Sequence, residues 1–140
     1  AGTIEETTDQ EEDMRRQRLL NLYFHRETLC FSNGGRKIEM LTITTLDGAN
    51  KKTHQSAIKG LFPFYTKKCD RPYSFGRKQK IIVTARITPG HTPSSYCMDA
   101  MIDCLTSGDE SSTALLNQFV FILFPMLNPD GVVAGHYKLD

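Results

Sequence analysis

The sequence lacks an apolar run of the about 20 residues that a membrane-spanning helix requires. Its longest apolar stretch, 119–127, has the length of a buried strand. The first residues are acidic and polar, whereas a secretory signal begins basic and continues apolar. We therefore expect a cytoplasmic protein without a membrane partner.

The sequence also lacks a C-x-x-C pair, which argues against a zinc finger. Its four cysteines are Cys30, Cys69, Cys97 and Cys104. Cys97 and Cys104 lie seven positions apart in a predicted helix. Because free cysteine packs as a small hydrophobic residue, we expect both of these thiols to be buried.

Charge is segregated along the chain although the formal net charge is only +1. Residues 1–14 hold six acids and no Lys or Arg, and residues 51–80 hold nine Lys or Arg against one acid. With 140 residues, the chain has the size of one domain. The pattern predicts an acidic flexible tail over 1–14 and an α/β domain over 15–140 with a basic surface loop at 49–78.

Hydrophobic patterning predicts the order of the elements. A short helix is expected over 14–24, and Asn33-Gly34 predicts a hairpin whose return strand is 37–45. Runs at 80–86 and 119–124 read as buried strands, with helices between them. Such a βαβ arrangement brings the loops at 88–92 and 128–138 to the carboxyl ends of the strands, where α/β proteins carry their chemistry.

The first of those helices is predicted to start at Pro93 after an N-cap at Thr92, and to end at Gly108. Its spacing predicts one apolar face made of Cys97, Ala100, Met101, Cys104 and Leu105. A second helix is expected over 111–117, and 128–131 reads as a tight turn.

Four segments of the sequence form recognisable motifs: residues 85–95 are A-R-I-T-P-G-H-T-P-S-S, 125–132 are P-M-L-N-P-D-G-V, 135–138 are G-H-Y-K and 41–45 are L-T-I-T-T. They resemble A-R-V-H-P-G-E-T-P-S-S, P-M-L-N-P-D-G-V, G-[NH]-Y-R and the L-L-T-I-T strand of the cytosolic carboxypeptidases, a branch of the zinc carboxypeptidases. The resemblance covers about 23–140 and implies part of the family's mixed sheet with flanking helices. The branch most resembled removes branch-point glutamates from modified tubulin.

The resemblance implies a zinc peptidase whose metal takes His and Glu from H-P-G-E, and a second, distal His. In this chain the first ligand position is Thr88, a poor zinc ligand, and the second is His91. The arginine position that polarises the scissile carbonyl is Lys138, which keeps the charge but loses the planar fork. The distal His and the catalytic Glu correspond to positions beyond Asp140, so no catalytic residue is assigned here.

Other polar residues have a structural as well as a functional interpretation. His91 is either a zinc ligand or a polar turn residue, and His136 is a weaker ligand candidate. Arg86 either faces the site or pairs with a carboxylate. Asn128 and Asp130 are expected mainly to fix their turn. His25 and His54 are expected at the surface, and Ser94 and Ser95 have no partners for nucleophilic catalysis.

The resemblance and the residues at its ligand positions leave three functions open. The first is an incomplete or inactive metallocarboxypeptidase that keeps an affinity for acidic, glutamate-rich tails such as those of tubulin. The second is a non-enzymatic module that binds acidic tails, or less favourably nucleic acid, through the basic loop. The third is an active enzyme whose altered metal site is completed by residues beyond Asp140.

Overall fold

A computed structural model describes residues 4–138, with side chains described from Asp9 onward. The elements run in the order α1 (Ile4–Leu20), β1 (Leu22–Phe31), β2 (Lys37–Thr45), β3 (Asn50–His54), a 3-10 turn (Lys68–Asp70), β4 (Tyr73–Ser74), β5 (Gln79–Thr84), α2 (Pro93–Thr106), α3 (Glu110–Gln118), β6 (Phe119–Phe124) and α4 (Pro129–Val133).

Four strands form a mixed sheet in the order β1-β2-β6-β5. The pairs β1·β2 and β2·β6 are antiparallel, whereas β5 and β6 are parallel neighbours. The predicted α/β fold class with a mixed sheet is therefore confirmed. The predicted hairpin at Asn33-Gly34 is also present, with Gly35 at φ 74° in its turn.

Each face of the sheet carries its own hydrophobic core. Helices α2 and α3 cover one face, where Leu41, Ile43 and Leu123 pack against Met98 and Leu116. The opposite face is covered by the loop between β3 and β5, whose aromatic residues pack on Met40, Val120 and Ile122. This packing of the loop on the sheet explains why a segment so rich in charge also contains Phe62 and Phe75, both of which are buried.

The start of the chain differs from the predicted tail. Helix α1 runs through the expected boundary at residue 14 and ends at Leu20, and β1 begins where the predicted helix over 14–24 would continue. The second half of α1 docks on the C-terminal end of α2. Arg15 Nε donates to the Ser107 carbonyl at 2.8 Å, and Arg18 Nε donates to the Gly108 carbonyl at 2.7 Å. These cations lie at a helix C-terminus, where exposed carbonyls attract positive charge. Residues 1–3 lie outside the described residues.

The predicted loop at 49–78 contains more structure than expected. Strands β3 and β4 form a small antiparallel sheet within it, and the 3-10 turn lies between them. The loop is anchored to the main sheet by the Phe62 amide, which donates to the Leu29 carbonyl at 2.6 Å.

The apolar face predicted for α2 is confirmed only in part. Leu105 is buried and Met101 packs against the core, as expected, but Cys97, Ala100 and Cys104 are exposed, so the prediction of buried thiols is wrong. The core contacts come instead from Met98, which is buried, and from Ile102. Both stripes satisfy helical spacing, but methionine and isoleucine bury more apolar area than cysteine and alanine. The helix is therefore rotated toward its larger side chains, and the thiols face outward.

Candidate functional site

The two loops singled out from the sequence lie side by side at the carboxyl ends of β5 and β6. Thr84 pairs with Phe124 in the last register position of these parallel strands. Beyond it, the Leu127 amide donates to the Ala85 carbonyl at 3.1 Å and the Asn128 amide to the Arg86 carbonyl at 3.0 Å. The predicted neighbourhood of the loops is therefore confirmed.

Two glycines allow the loops to touch. The Gly90 amide donates to the Tyr137 carbonyl at 3.2 Å, and an added Cβ on Gly90 would lie 2.6 Å from that oxygen. Gly131 packs directly against the ring of Pro89 in the same way. These contacts hold the T-P-G-H segment against the segment that follows N-P-D-G.

Thr88 and His91 occupy one turn of this loop. The His91 amide donates to the Thr88 carbonyl at 3.1 Å, and the His91 carbonyl accepts from Ser94 Oγ at 2.7 Å. Thr88 is half-buried, whereas the His91 side chain is exposed. Ser94 Oγ also accepts from the Arg86 amide at 3.1 Å, so this serine fastens the turn. Thr92 occupies the N-cap position of α2, but its side chain makes no capping hydrogen bond.

Arg86 pairs with a backbone carbonyl, and the expected carboxylate partner is wrong. Its Nη1 donates to the Pro89 carbonyl at 2.9 Å, while its buried Nε has no hydrogen-bond partner among the described residues. The residue has φ 52°, a left-handed conformation that is uncommon for a side chain of this size. Arg86 therefore shapes the loop, and its backbone carries strain there.

Asn128 and Asp130 fix the second loop, as expected. The predicted tight turn is the short helix α4, in which Asn128 Oδ1 accepts from the Gly131 amide at 3.0 Å. Asp130 reaches back to the β1–β2 hairpin and accepts from Ser32 Oγ, the Gly34 amide and Arg36 Nη1, each at 2.8 Å. The Gly34 amide, followed by the Arg36 and Ser32 side chains, lowers the pKa of Asp130.

His136 and Lys138 line a cavity of about 590 Å³ together with Arg36 and Asp130. The cavity lies between the hairpin tip and the end of the described chain. His136 is held through its backbone, whose amide donates to the Gly131 carbonyl at 2.9 Å. The structure thus places the predicted substrate residue Lys138 beside an arginine from a distant part of the sequence.

The two histidines expected at the surface are both half-buried, so that expectation is wrong. Both histidines lie beside an ion pair between Arg71 and Glu27. The guanidinium of Arg71 stacks on the ring of Phe62, 3.4 Å from its centroid. His54 Nδ1 donates to the Arg71 carbonyl at 2.7 Å. Burial lowers the pKa of His25 against an opposing effect of Glu27. The cluster joins the basic loop to β1.

The basic loop uses two of its cations internally. Arg71 is buried, and Lys78 Nζ donates to Thr44 and Thr45 of β2 and to the Leu116 carbonyl of α3, at 2.8–3.0 Å. Among the remaining cations, Lys51, Lys52 and Arg77 surround one cavity of about 660 Å³.

Comparison with known proteins identifies the family. The zinc carboxypeptidase family model matches residues 23–139. Cytosolic carboxypeptidase-like protein 5 of Homo sapiens is 39% identical over 120 residues, which are 85% of this chain and 13% of that protein. Human cytosolic carboxypeptidase 4 is 31% identical over 120 residues, covering 86% of this chain and 9% of that protein.

The chain belongs to the zinc carboxypeptidase family.

Solved carboxypeptidases share the fold of this family member. A putative carboxypeptidase A from Shewanella denitrificans superposes with a TM-score of 0.60 at 23% identity, over 93% of this chain and 27% of that one. A metallo-carboxypeptidase from Burkholderia cenocepacia gives a TM-score of 0.58 at 19% identity, over 97% and 29%. This zinc carboxypeptidase-family chain therefore spans less than a third of the length of the relatives it matches.

The family implies zinc, but the described residues of this member do not fit the ion. Among the residues whose side chains are described, 9–138, no group of three or more His, Cys, Asp or Glu could hold a metal. The two positions that the sequence resemblance predicts as zinc ligands, Thr88 and His91, supply one neutral hydroxyl and one imidazole, whereas zinc sites in proteins need three or four good donors. Within the same residues, no helix has the length and apolar character needed to cross a membrane.

Sequence reasoning missed three residues of this carboxypeptidase-family chain. Arg36 contacts Asp130 across 94 positions, and Arg71 contacts Glu27 across 44. Lys78 reaches Leu116 across 38. No local pattern marks such pairs. The one available signal was Gly34, two positions before Arg36, because a glycine can mark a place where another segment approaches the backbone closely as well as a turn.

Proposed function

We propose that this chain is a catalytically impaired member of the zinc carboxypeptidase family that retains an affinity for glutamate-rich protein tails, such as those of tubulin. The main support is a contrast within one site. The family's two loops are held together through Gly90 and Tyr137, yet the ligand positions are Thr88 and His91.

Binding and hydrolysis make different demands on this site. Lys138 is exposed beside a cavity and can attract a carboxylate as a point charge. Hydrolysis would require the family's zinc to supply an activated water, and the described donors do not fit the ion. The residues present therefore support recognition of an acidic peptide better than its cleavage.

The place of action follows from the relatives. The curated relatives are named cytosolic carboxypeptidases, and we extend that location to this chain. The free thiols of all four cysteines are compatible with a reducing cytoplasm.

The test of binding compares two labelled peptides by fluorescence anisotropy. A glutamate-rich peptide with a free C-terminus should bind, and the same peptide with glutamine at each glutamate should bind weakly. Lys138→Gln should reduce binding of the acidic peptide more than Lys59→Gln, which removes an exposed charge from the basic loop. Equal binding of the two peptides would contradict the proposal.

The test of impairment restores the family's ligands. The double substitution Thr88→His with His91→Glu should release no glutamate from an acidic peptide with zinc present. Its two restored ligands are still fewer than the three or four that a zinc site requires. Glutamate release by the wild-type chain under the same conditions would contradict the proposed impairment.

The basic loop supports a second candidate, a non-enzymatic binding module. Lys51, Lys52 and Arg77 lie around one cavity, and no acidic residue is among those that line it. Binding there should weaken steeply with added salt. A polyglutamate peptide should displace labelled RNA if acidic tails are the partner. Failure of both ligands to bind at low salt would exclude this candidate.

A further inference from the structure

The geometry points to Arg36, in the β1–β2 hairpin, as a carboxylate-binding residue that acts with Lys138 to select acidic peptide side chains. This inference rests on the proposed function and adds a residue from a separate part of the chain. Arg36 and Lys138 line the same cavity although 102 positions separate them in the sequence. Its volume of about 590 Å³ lies within the range of small-ligand sites.

Arg36 is fixed in place by the hairpin that carries it. Its amide donates to Ser32 Oγ at 3.0 Å, and the Ser32 amide donates to the Arg36 carbonyl at 2.8 Å. Asp130 then accepts from Arg36 Nη1. An arginine held at both backbone and side chain loses less freedom on binding a ligand than a free surface cation.

Gly34 makes this arrangement possible. A Cβ at Gly34 would lie 2.5 Å from both Arg36 Nη1 and Asp130 Oδ1. A side chain at position 34 would therefore require the side chains of Arg36 and Asp130 to shift from this arrangement. The close approach links the tip of β1–β2 to the loop that carries Lys138.

The cavity retains positive charge after this pairing. Among the described residues that line the cavity, Asp130 is the one carboxylate, and both of its oxygens already accept hydrogen bonds from the hairpin. Within that set, Arg36 and Lys138 leave one positive charge in excess. The Arg36 side chain is 42% exposed, and a guanidinium has five N–H donors. Donors beyond the one given to Asp130 remain for a carboxylate.

The chemistry favours a side-chain carboxylate over other anions. Arginine presents parallel donors that match the two oxygens of a carboxylate, and lysine adds a second charge beside it. The site is a small cavity rather than an extended basic track, which argues against nucleic acid as its ligand. A glutamate side chain of a bound peptide has the size and charge that fit.

The test uses N-acetylglutamate and N-acetylglutamine as probes of the 140-residue chain, followed by NMR amide shifts. The wild-type chain should bind N-acetylglutamate more tightly, with shifts at Gly34 and Gly131. Arg36→Gln should weaken that binding about tenfold or more, because hydrogen bonds to charged groups are strong. Its affinity for N-acetylglutamine should change little. Arg16→Gln, which removes an exposed arginine from α1, is the matched control.

Arg36→Lys keeps the inference testable if Arg36→Gln unfolds. Arg36→Lys retains the positive charge but loses the planar pair of donors of the guanidinium. Its affinity for N-acetylglutamate should therefore lie between those of the wild-type chain and Arg36→Gln. Unchanged binding in Arg36→Lys together with an equal loss in Arg36→Gln and Arg16→Gln would overturn the role of Arg36. Absence of any N-acetylglutamate binding to the wild-type chain would also overturn it.

The two proposals can fail separately. If the glutamate-rich peptide binds and Lys138→Gln weakens it while Arg36→Gln does not, the proposed function stands and the role of Arg36 falls. If N-acetylglutamate binds through Arg36 but the long acidic peptide does not, the subsite stands and the affinity for protein tails falls.

Discussion

The amide of Gly90 donates to the carbonyl oxygen of Tyr137 over 3.2 Å, and the tyrosine ring lies against the same glycine. The contact joins the loop after β5 to the segment after α4. Both parts of the candidate site therefore depend on a position that tolerates no side chain.

Gly90→Ala should destabilise the chain and displace the segment at 135–138. The added methyl group would lie 2.6 Å from the Tyr137 carbonyl and 2.7 Å from its ring, so the backbone must move. Overpacking of this kind costs about 1–3 kcal/mol. Urea denaturation measures the loss. Gly76→Ala is the matched control, because a Cβ there meets nothing within 4 Å. If the two variants are equally stable, the contact does not constrain the loops.

Arg71→Met should be strongly destabilising, because it leaves Glu27 buried without its partner. Loss of one member of a buried pair costs about 3–5 kcal/mol. Arg26→Met breaks the exposed pair with Glu39, and such pairs are worth about 0–1 kcal/mol. Urea denaturation of both variants should show this difference. Similar losses would mean that the burial of Arg71 adds nothing to its pairing.

Lys78→Met should also lower the free energy of unfolding, by about 1–3 kcal/mol, because Thr44 and Thr45 lose a charged donor in a buried setting. Lys80→Met is the control, since Lys80 is exposed on β5. Thermal or urea unfolding serves as the measurement. A Lys78→Met chain as stable as Lys80→Met would show that the tie between β2 and α3 is dispensable.

Stability should fall as the pH drops below about 6.5, the ordinary pKa of histidine. Burial lowers the pKa of His25 in the folded chain, Glu27 opposes this, and Arg71 and His54 act with burial. The unfolded chain therefore takes up a proton at a higher pH than the folded one, which favours unfolding in acid. The contribution is fully present above the unfolded pKa and is lost as the pH falls toward the lower folded value.

The pH effect is tested with His25→Gln. Its unfolding free energy should change less between pH 7.5 and 5.5 than that of the wild-type chain. His91→Gln, which removes an exposed histidine from another part of the chain, is the control substitution. An identical pH dependence in the wild-type chain and His25→Gln would refute the assignment.

Local patterns predicted the centre of the sheet well. Strands β2 and β6 begin and end at the expected residues, since β-branched and aromatic runs of this length fit a buried strand. The order of β5, α2 and β6 placed the two loops together before any contact was known. These features depend on neighbours in sequence.

The errors arise where distant residues decide the structure. A flexible tail was expected over 1–14 and a short helix over 14–24, yet one helix spans Ile4–Leu20, and Arg15 and Arg18 dock it on carbonyls about 90 positions away. The buried face of α2 could not be predicted because two overlapping apolar stripes on the helix both have helical spacing. Contact with the sheet decides which of them is buried. The role of Arg36 depends on its contact with Asp130, which lies 94 positions away in the sequence.

Zinc content tests the central claim most directly, namely that Thr88 and His91 do not supply two of the ligands of a zinc site. The chain is equilibrated with equimolar zinc, freed of unbound metal and analysed by mass spectrometry, beside His91→Gln. We expect far less than one zinc per chain in both proteins. About one zinc per wild-type chain that disappears in His91→Gln would contradict the account and show that His91 is a ligand.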